Sequence, residues 1–100
     1  MSHSVAFVRD LMDRSHISAA IPEVKFVSDV IDAADAAVVI VDLARFAGVV
    51  AALRAVAPEA RIVAFGPHVD DELLATAAAD GADRVLPRSQ FFRDPAAGVA

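Results

Sequence analysis

The chain has 100 residues, 57 % of them hydrophobic, with 23 % charged and a net charge of −5. That length allows one core and one domain over residues 1–100, and the composition excludes intrinsic disorder. Zero Cys excludes disulfides, thiolate nucleophiles and thiolate metal sites, and the acidic balance with a single Lys argues against nucleic acid as a partner.

Val5–Val8 reads as a first strand. Asp10–Ile21 reads as a helix ended by Pro22, and Val24–Val27 as an edge strand carrying Lys25. Ser28, Asp29 and Asp32 predict a short helix over Asp29–Asp35, since caps and acids favour a helix N-terminus. Ala36–Asp42 is a continuous apolar run closed by an acid, the pattern of a strand buried on both faces. Phe46, Val49, Val50, Leu53 and Val56 fall at helical spacing and form one apolar stripe. Ile62–Phe65 is a strand closed by Gly66-Pro67. Asp70, Asp71 and Glu72 open a helix that Gly81 stops. Arg84–Leu86 is a short last strand, and Ser89–Ala100 has room for a turn or two of helix, interrupted at Pro95.

Strict alternation of strands and helices predicts a three-layer α/β fold with a parallel sheet and right-handed crossovers. Five strands of this kind suit the flavodoxin-like order 2-1-3-4-5. Chemistry in such sheets sits beyond the carboxyl ends of strands 1 and 3. Asp10 and Asp42 fall there. Two carboxylates that meet repel each other and call for a cation, a shared proton or an Arg. Mg²⁺ is one such cation, and an Asp beside it can accept a phosphoryl group. The plain alternative is that Asp42 ends a strand and caps the next helix.

Three stretches resemble the receiver domain of bacterial response regulators. VVIVDL (Val38–Leu43) is similar to the strand that ends in the phosphoacceptor, here Asp42. VAFVRDLM (Val5–Met12) is similar to the first strand, which in that family runs into an acidic pair. GADRVLPRS (Gly81–Ser89) is similar to the last turn and strand that carry the family's Lys-Pro, and it is the most specific match. The likeness spans nearly the whole chain, with the first two helices trimmed and the last one truncated. It implies a bacterial, cytoplasmic signalling domain of two-component phosphorelays, partnered by a histidine kinase or a downstream effector.

The departures from the family pattern carry chemistry. Arg9 replaces the first acid of the pair and leaves Asp10 alone. Its fixed positive charge weakens Mg²⁺ binding, and it can itself pair with Asp42 or Asp10. Gly66 stands where the family has a Thr or Ser hydroxyl that reads phosphorylation, so it marks a degenerate switch position. Arg88 stands at the family's Lys, with Ser89 at the following Pro and Val85 at a position often aromatic. Arg is a planar fork, not a point charge. These changes favour a stand-alone pseudo-receiver acting through protein–protein contacts, with Asp42 and Asp10 as remnants of an acidic pocket neutralised by Arg9 or Arg88. No cofactor is then required.

One alternative is a working phosphoacceptor with Asp42 phosphorylated and Asp10 holding Mg²⁺. Another is a small α/β enzyme using Asp42. The second has no accompanying base, oxyanion donor or cofactor motif, so no enzymatic activity is expected. His68, Asp70 and Asp71 read as a solvated loop and a helix cap. His16 and His3 read as surface residues. No apolar run is long enough to cross a membrane. Phe91 and Phe92, adjacent in the tail, either pack onto the sheet or form an exposed patch. The patch reading predicts a homodimer through that face.

Overall fold

The computed structural model describes residues 3–100. Its sheet has five parallel strands in the order β2-β1-β3-β4-β5. They are β1 (Ser4–Phe7), β2 (Lys25–Phe26), β3 (Val38–Asp42), β4 (Arg61–Gly66) and β5 (Arg84–Pro87). The helices are α1 (Leu11–Ala20), α2 (Val49–Val56), α3 (Asp71–Ala79), α4 (Arg88–Arg93) and α5 (Pro95–Val99). This is the expected three-layer flavodoxin-like fold.

Alternation along the strands sorts the core into two layers. Val5, Phe7, Val39, Val41, Ile62 and Ala64 point to one face and pack with Val50, Leu53 and Ala77 of α2 and α3. Ala6, Val8, Ile40, Val63 and Phe65 point to the other and pack with Ile17 of α1 and Phe91 of α4. The apolar run of β3 is explained by this double burial, since Val39, Ile40 and Val41 are all fully inside.

Local chemistry sets the helix ends. The Asp10 side chain accepts a hydrogen bond from the Asp13 backbone N–H at 3.0 Å and caps α1. Asp70 does the same for α3 through Leu73 N–H at 3.0 Å. Gly81 has φ 115°, a left-handed turn that only glycine enters without strain.

Three expected elements are corrected. The predicted helix Asp29–Asp35 is a single 3₁₀ turn over Val30–Ala33. Asp29 makes no side-chain cap there, and β-branched Val30 and Ile31 with Asp32 are weak helix formers. Phe46 lies in the turn before α2, not on it. Its ring still meets Phe7 edge to face at 5.6 Å, so the stripe closes in space without being one helix. The tail forms two short helices where a turn or two was expected. Pro95 begins the second one, capped by Asp94, which accepts from Ala97 N–H at 3.2 Å.

These two helices cover the sheet face that a truncated tail would have left bare. Phe91 is fully buried and stacks on Phe65 at 4.8 Å. A Cβ on Gly98 would stand 3.0 Å from the Phe91 ring, so α5 crosses there at glycine distance. Arg61 and Arg84 hold the last turn of α5 through the carbonyls of Val99 (3.2 Å) and Ala97 (3.3 Å). The expectation that Phe91 forms an exposed interface is therefore overturned. Phe92 is half-buried, edge-on to Phe65 at 5.0 Å. Neither ring supplies the bare patch on which a homodimer was expected. No helix among the described residues is long and apolar enough to cross a membrane.

Candidate functional site

Parallel pairing brings the carboxyl ends of β1, β3, β4 and β5 to one edge. Phe7 is level with Val41, Asp42 with Phe65, and Gly66 with Pro87. The segments just beyond these positions carry Arg9, Asp10, Asp42, Gly66 and Arg88 to that edge, so the sheet order gathers all five. Their side chains then divide into two separate clusters.

The first cluster is built around Asp42, which is 1 % exposed. Its Oδ1 accepts from the Ala44 backbone N–H at 3.1 Å. Its Oδ2 faces Arg45 Nη1 at 3.3 Å. The chain turns sharply here, with the Asp42 carbonyl accepting from Arg45 N–H (3.2 Å) and Phe46 N–H (2.9 Å). That turn folds Arg45 back over the carboxylate three residues behind it. The charge beside Asp42 is therefore Arg45, and not Arg9 or Arg88 as expected. Arg9 lies across the Phe46 ring, its Cζ 4.9 Å from the centroid. Such cation–π contacts suit a weakly hydrated guanidinium.

The second cluster joins α1 to α4. Asp13 is 4 % exposed. Its carboxylate takes both terminal nitrogens of Arg88, with Nη1 to Oδ2 at 2.8 Å and Nη2 to Oδ1 forming the second bond. This is the bidentate geometry that a planar fork favours. Arg88 also lies over the Phe92 ring at 4.7 Å, and His16 stacks on that same ring at 5.7 Å between centroids. The Asp13 hydrogen bond comes first among the influences that raise the Arg88 pKa. Burial opposes it, and the charges of Asp13, Asp42 and Asp10 add to it. Arg88 thus feels Asp42 without touching it. Asp10 stays at the head of α1, where the Asp13 backbone N–H lowers its pKa, opposed by burial and assisted by Arg45 and Arg88. A groove of about 440 Å³ runs along this cluster, lined by Asp10, Met12, Asp13, His16, Arg88, Ser89 and Phe92.

Asp13 and Arg45 were not singled out from the sequence. Arg45 had a usable signal, an acid and an Arg three apart at a strand end. Asp13 had none, because its partner lies 75 positions away. Gly66 sits where expected, at the last position of β4. A Cβ there would meet Leu74 Cδ2 at 3.2 Å and Leu43 Cβ at 3.5 Å. His68 and Asp71 are exposed.

A divalent cation of the kind bound by receivers needs several free oxygen ligands in near-octahedral array. The residues do not fit one. Position 9 is an Arg, Asp10 is committed to its helix cap, and both Asp42 oxygens are engaged. No group of three or more His, Cys, Asp or Glu side chains converges among the described residues.

Neither a protein-family model nor a curated protein matches the sequence. Solved structures do match the fold. A response regulator protein from Burkholderia pseudomallei, with a phosphorylated aspartic acid, a calcium ion and citrate, superposes with TM-score 0.82 at 16 % identity, covering 100 % of this chain and 67 % of its own. A response regulator receiver domain protein from Clostridium thermocellum gives TM-score 0.79 at 15 % identity, covering 98 % and 90 %. A CheY-like protein from Pseudomonas aeruginosa gives 0.71 at 17 %, covering 89 % and 88 %. The chain has the receiver fold, as the three sequence stretches implied.

Proposed function

We propose that this chain is a pseudo-receiver, a signalling domain that works through protein–protein contacts and not through phosphotransfer. The observation that carries this reading is the bidentate Asp13–Arg88 pair. A receiver that reads phosphorylation needs a free cation at that position to meet the phosphoryl group. Here the fold already spends Arg88 on a buried carboxylate, and Arg is tethered at both nitrogens. Gly66 adds no hydroxyl to report a phosphoryl charge, so no two-state element couples to one. The Burkholderia neighbour has a phosphorylated aspartic acid, whereas here Asp42 is paired with Arg45 and Arg88 with Asp13.

The partner is a protein. Leu11, Met12 and Val69 are 77 %, 82 % and 77 % exposed and all lie just beyond the carboxyl edge of the sheet, an apolar rim suited to a protein surface. The domain carries no catalytic step in this role.

The test is incubation with a small phosphodonor and excess Mg²⁺, followed by intact mass measurement. The expected result is unmodified protein. Stoichiometric gain of one phosphoryl group on Asp42, lost in Asp42→Asn, would reverse the reading in favour of a working phosphoacceptor.

A further inference from the structure

We infer that the exposed face of α1 binds a second copy of this chain, with Leu11 of each copy entering a four-residue hollow on α1 of the other. The inference rests on the protein–protein reading above and names the occupant of the surface around Leu11 and Met12. It uses a different face from the one that Phe91 and Phe92 suggested.

The charge of α1 is turned inward. Its charged residues are Asp13 and Arg14. Asp13 is buried and bound to Arg88. Arg14 donates its Nε to the Val8 carbonyl at 2.6 Å and lies over Phe26. The exposed residues of α1 are Leu11, Met12, Ser15, His16 and Ala19, and none carries a fixed charge. At about 3.6 residues per turn they share one arc, on the side of the helix away from buried Ile17. The solvent face of an amphipathic helix ordinarily carries the charge. Here that face instead holds Leu11 and Met12, both standing largely in solvent. An apolar face of this kind marks a contact surface.

Its shape selects the occupant. Met12, Ser15, His16 and Ala19 fall at i, i+3, i+4 and i+7 and surround a hollow of about 270 Å³. Four residues at that spacing make the hole that receives one side chain of a facing helix. The hollow is smaller than an ordinary small-molecule pocket. Leu11 stands beside this ring of four and projects outward. One face therefore carries both a knob and a hole. An unrelated partner would have to supply the counterpart of each, whereas a second copy turned end for end brings both by symmetry. Each Leu11 then fills the other copy's hollow, which is the closed, isologous contact of a twofold dimer. The two α1 helices run antiparallel across it, with their dipoles opposed. The hollow shares Met12 and His16 with the groove along α4, so the contact continues onto Ser89 and Phe92.

The experiment is sedimentation of the unmodified chain from about 10 μM to about 1 mM, because a contact built on one helix face lies at the small end of specific interfaces. Leu11→Ala, which removes the knob, and Ala19→Leu, which fills the hole, are run beside it, with Ile31→Ser as an exposed apolar control outside α1. The expected result is a dimer that each α1 substitution weakens at least about tenfold and that Ile31→Ser leaves intact. The chain has no Cys, so Ser15→Cys and Glu59→Cys give single-thiol reporters. A short bis-maleimide should join two copies of Ser15→Cys and not of Glu59→Cys. An unmodified chain that stays monomeric throughout leaves the α1 face to a different protein and overturns the inference. A dimer that survives both Leu11→Ala and Ala19→Leu also overturns it, as does crosslinking no stronger at Ser15 than at Glu59. Phosphoryl gain on Asp42 with the dimer intact would refute the pseudo-receiver function alone, and a monomer that takes up no phosphoryl group would refute the dimer alone.

Discussion

Arg88→Met should destabilise the domain mainly by stranding Asp13. The Met side chain keeps most of the apolar stem of Arg88, so what is lost is the fork. Removing one partner of a fully buried pair costs about 3–5 kcal/mol, since the other charge is left buried alone. Asp13 is that other charge, with a side chain 5 % exposed. Arg88 is 45 % exposed, so water and small rearrangements recover part of the loss, and about 2 kcal/mol remains. The contact with Phe92 at 4.7 Å adds roughly 0.5 kcal/mol. At this size each kcal/mol moves the melting temperature by about 4–8 °C, so Arg88→Met should melt on the order of 10–20 °C lower. Asp13→Ala should cost less, about 1 kcal/mol, because the freed Arg88 turns to solvent. In Asp13→Ala/Arg88→Met nothing is stranded, and the loss should fall short of the sum of the single losses by about 1–2 kcal/mol. The assay is urea unfolding at neutral pH for the four proteins of the cycle. A coupling below about 0.5 kcal/mol would show that the two side chains do not meet in solution. The function built on that pair would then lose its support.

Gly66→Ser should cost about 1 kcal/mol, because the new Cβ sits 3.2 Å from the far end of Leu74, which can yield; thermal melting checks it, and a loss beyond about 3 kcal/mol would mean the site is closed to a side chain. Leu53→Ala should cost about 3 kcal/mol by denaturant unfolding, as Leu53 is fully buried beneath the sheet. Asp83 accepts from Ile62 N–H at 2.7 Å and from Arg54 at 2.7 Å, and the Ile62 bond, foremost, lowers its pKa. Its folded value lies below the ordinary 3.8, so its stabilising effect is full above that pH and is lost as pH falls through the lower folded value. Asp83→Asn should therefore flatten the acid limb of the stability curve in that range, with unchanged slope near neutrality. Gly98→Ala should disturb the Phe91 ring, 3.0 Å from the new Cβ, and shift the Phe91 resonances while leaving those of Phe7 and Phe46 in place.

The order of strands and helices was legible because each signal is local. The β3 run Val38–Val41, the α2 stripe through Val50 and Leu53, the Asp10 and Asp70 caps and the Gly81 stop all depend on neighbours within a few positions. Parallel alternation then fixed the sheet order and placed Asp10, Asp42, Gly66 and Arg88 at one edge. Local signals also misled where tertiary contacts overrode them. The Asp29–Asp35 segment has helical punctuation yet makes only a 3₁₀ turn, and Phe46 matches a helical period from inside a turn.

Side-chain partnership was the part that sequence alone left open. Four arginines near one edge have similar reach, and composition cannot say which carboxylate each will meet. Packing decides. Phe46 captures Arg9, the turn after β3 returns Arg45 to Asp42, and the docking of α4 on α1 carries Arg88 to Asp13 across 75 positions. The same docking buries Phe91 against Phe65 and removes the apolar patch that two adjacent Phe residues suggested. The residues alone thus determined the fold and the edge where chemistry would lie, because periodicity and caps are properties of short segments. Only the tertiary structure decided which carboxylate each arginine meets at this edge, because ion pairing depends on which surfaces come together.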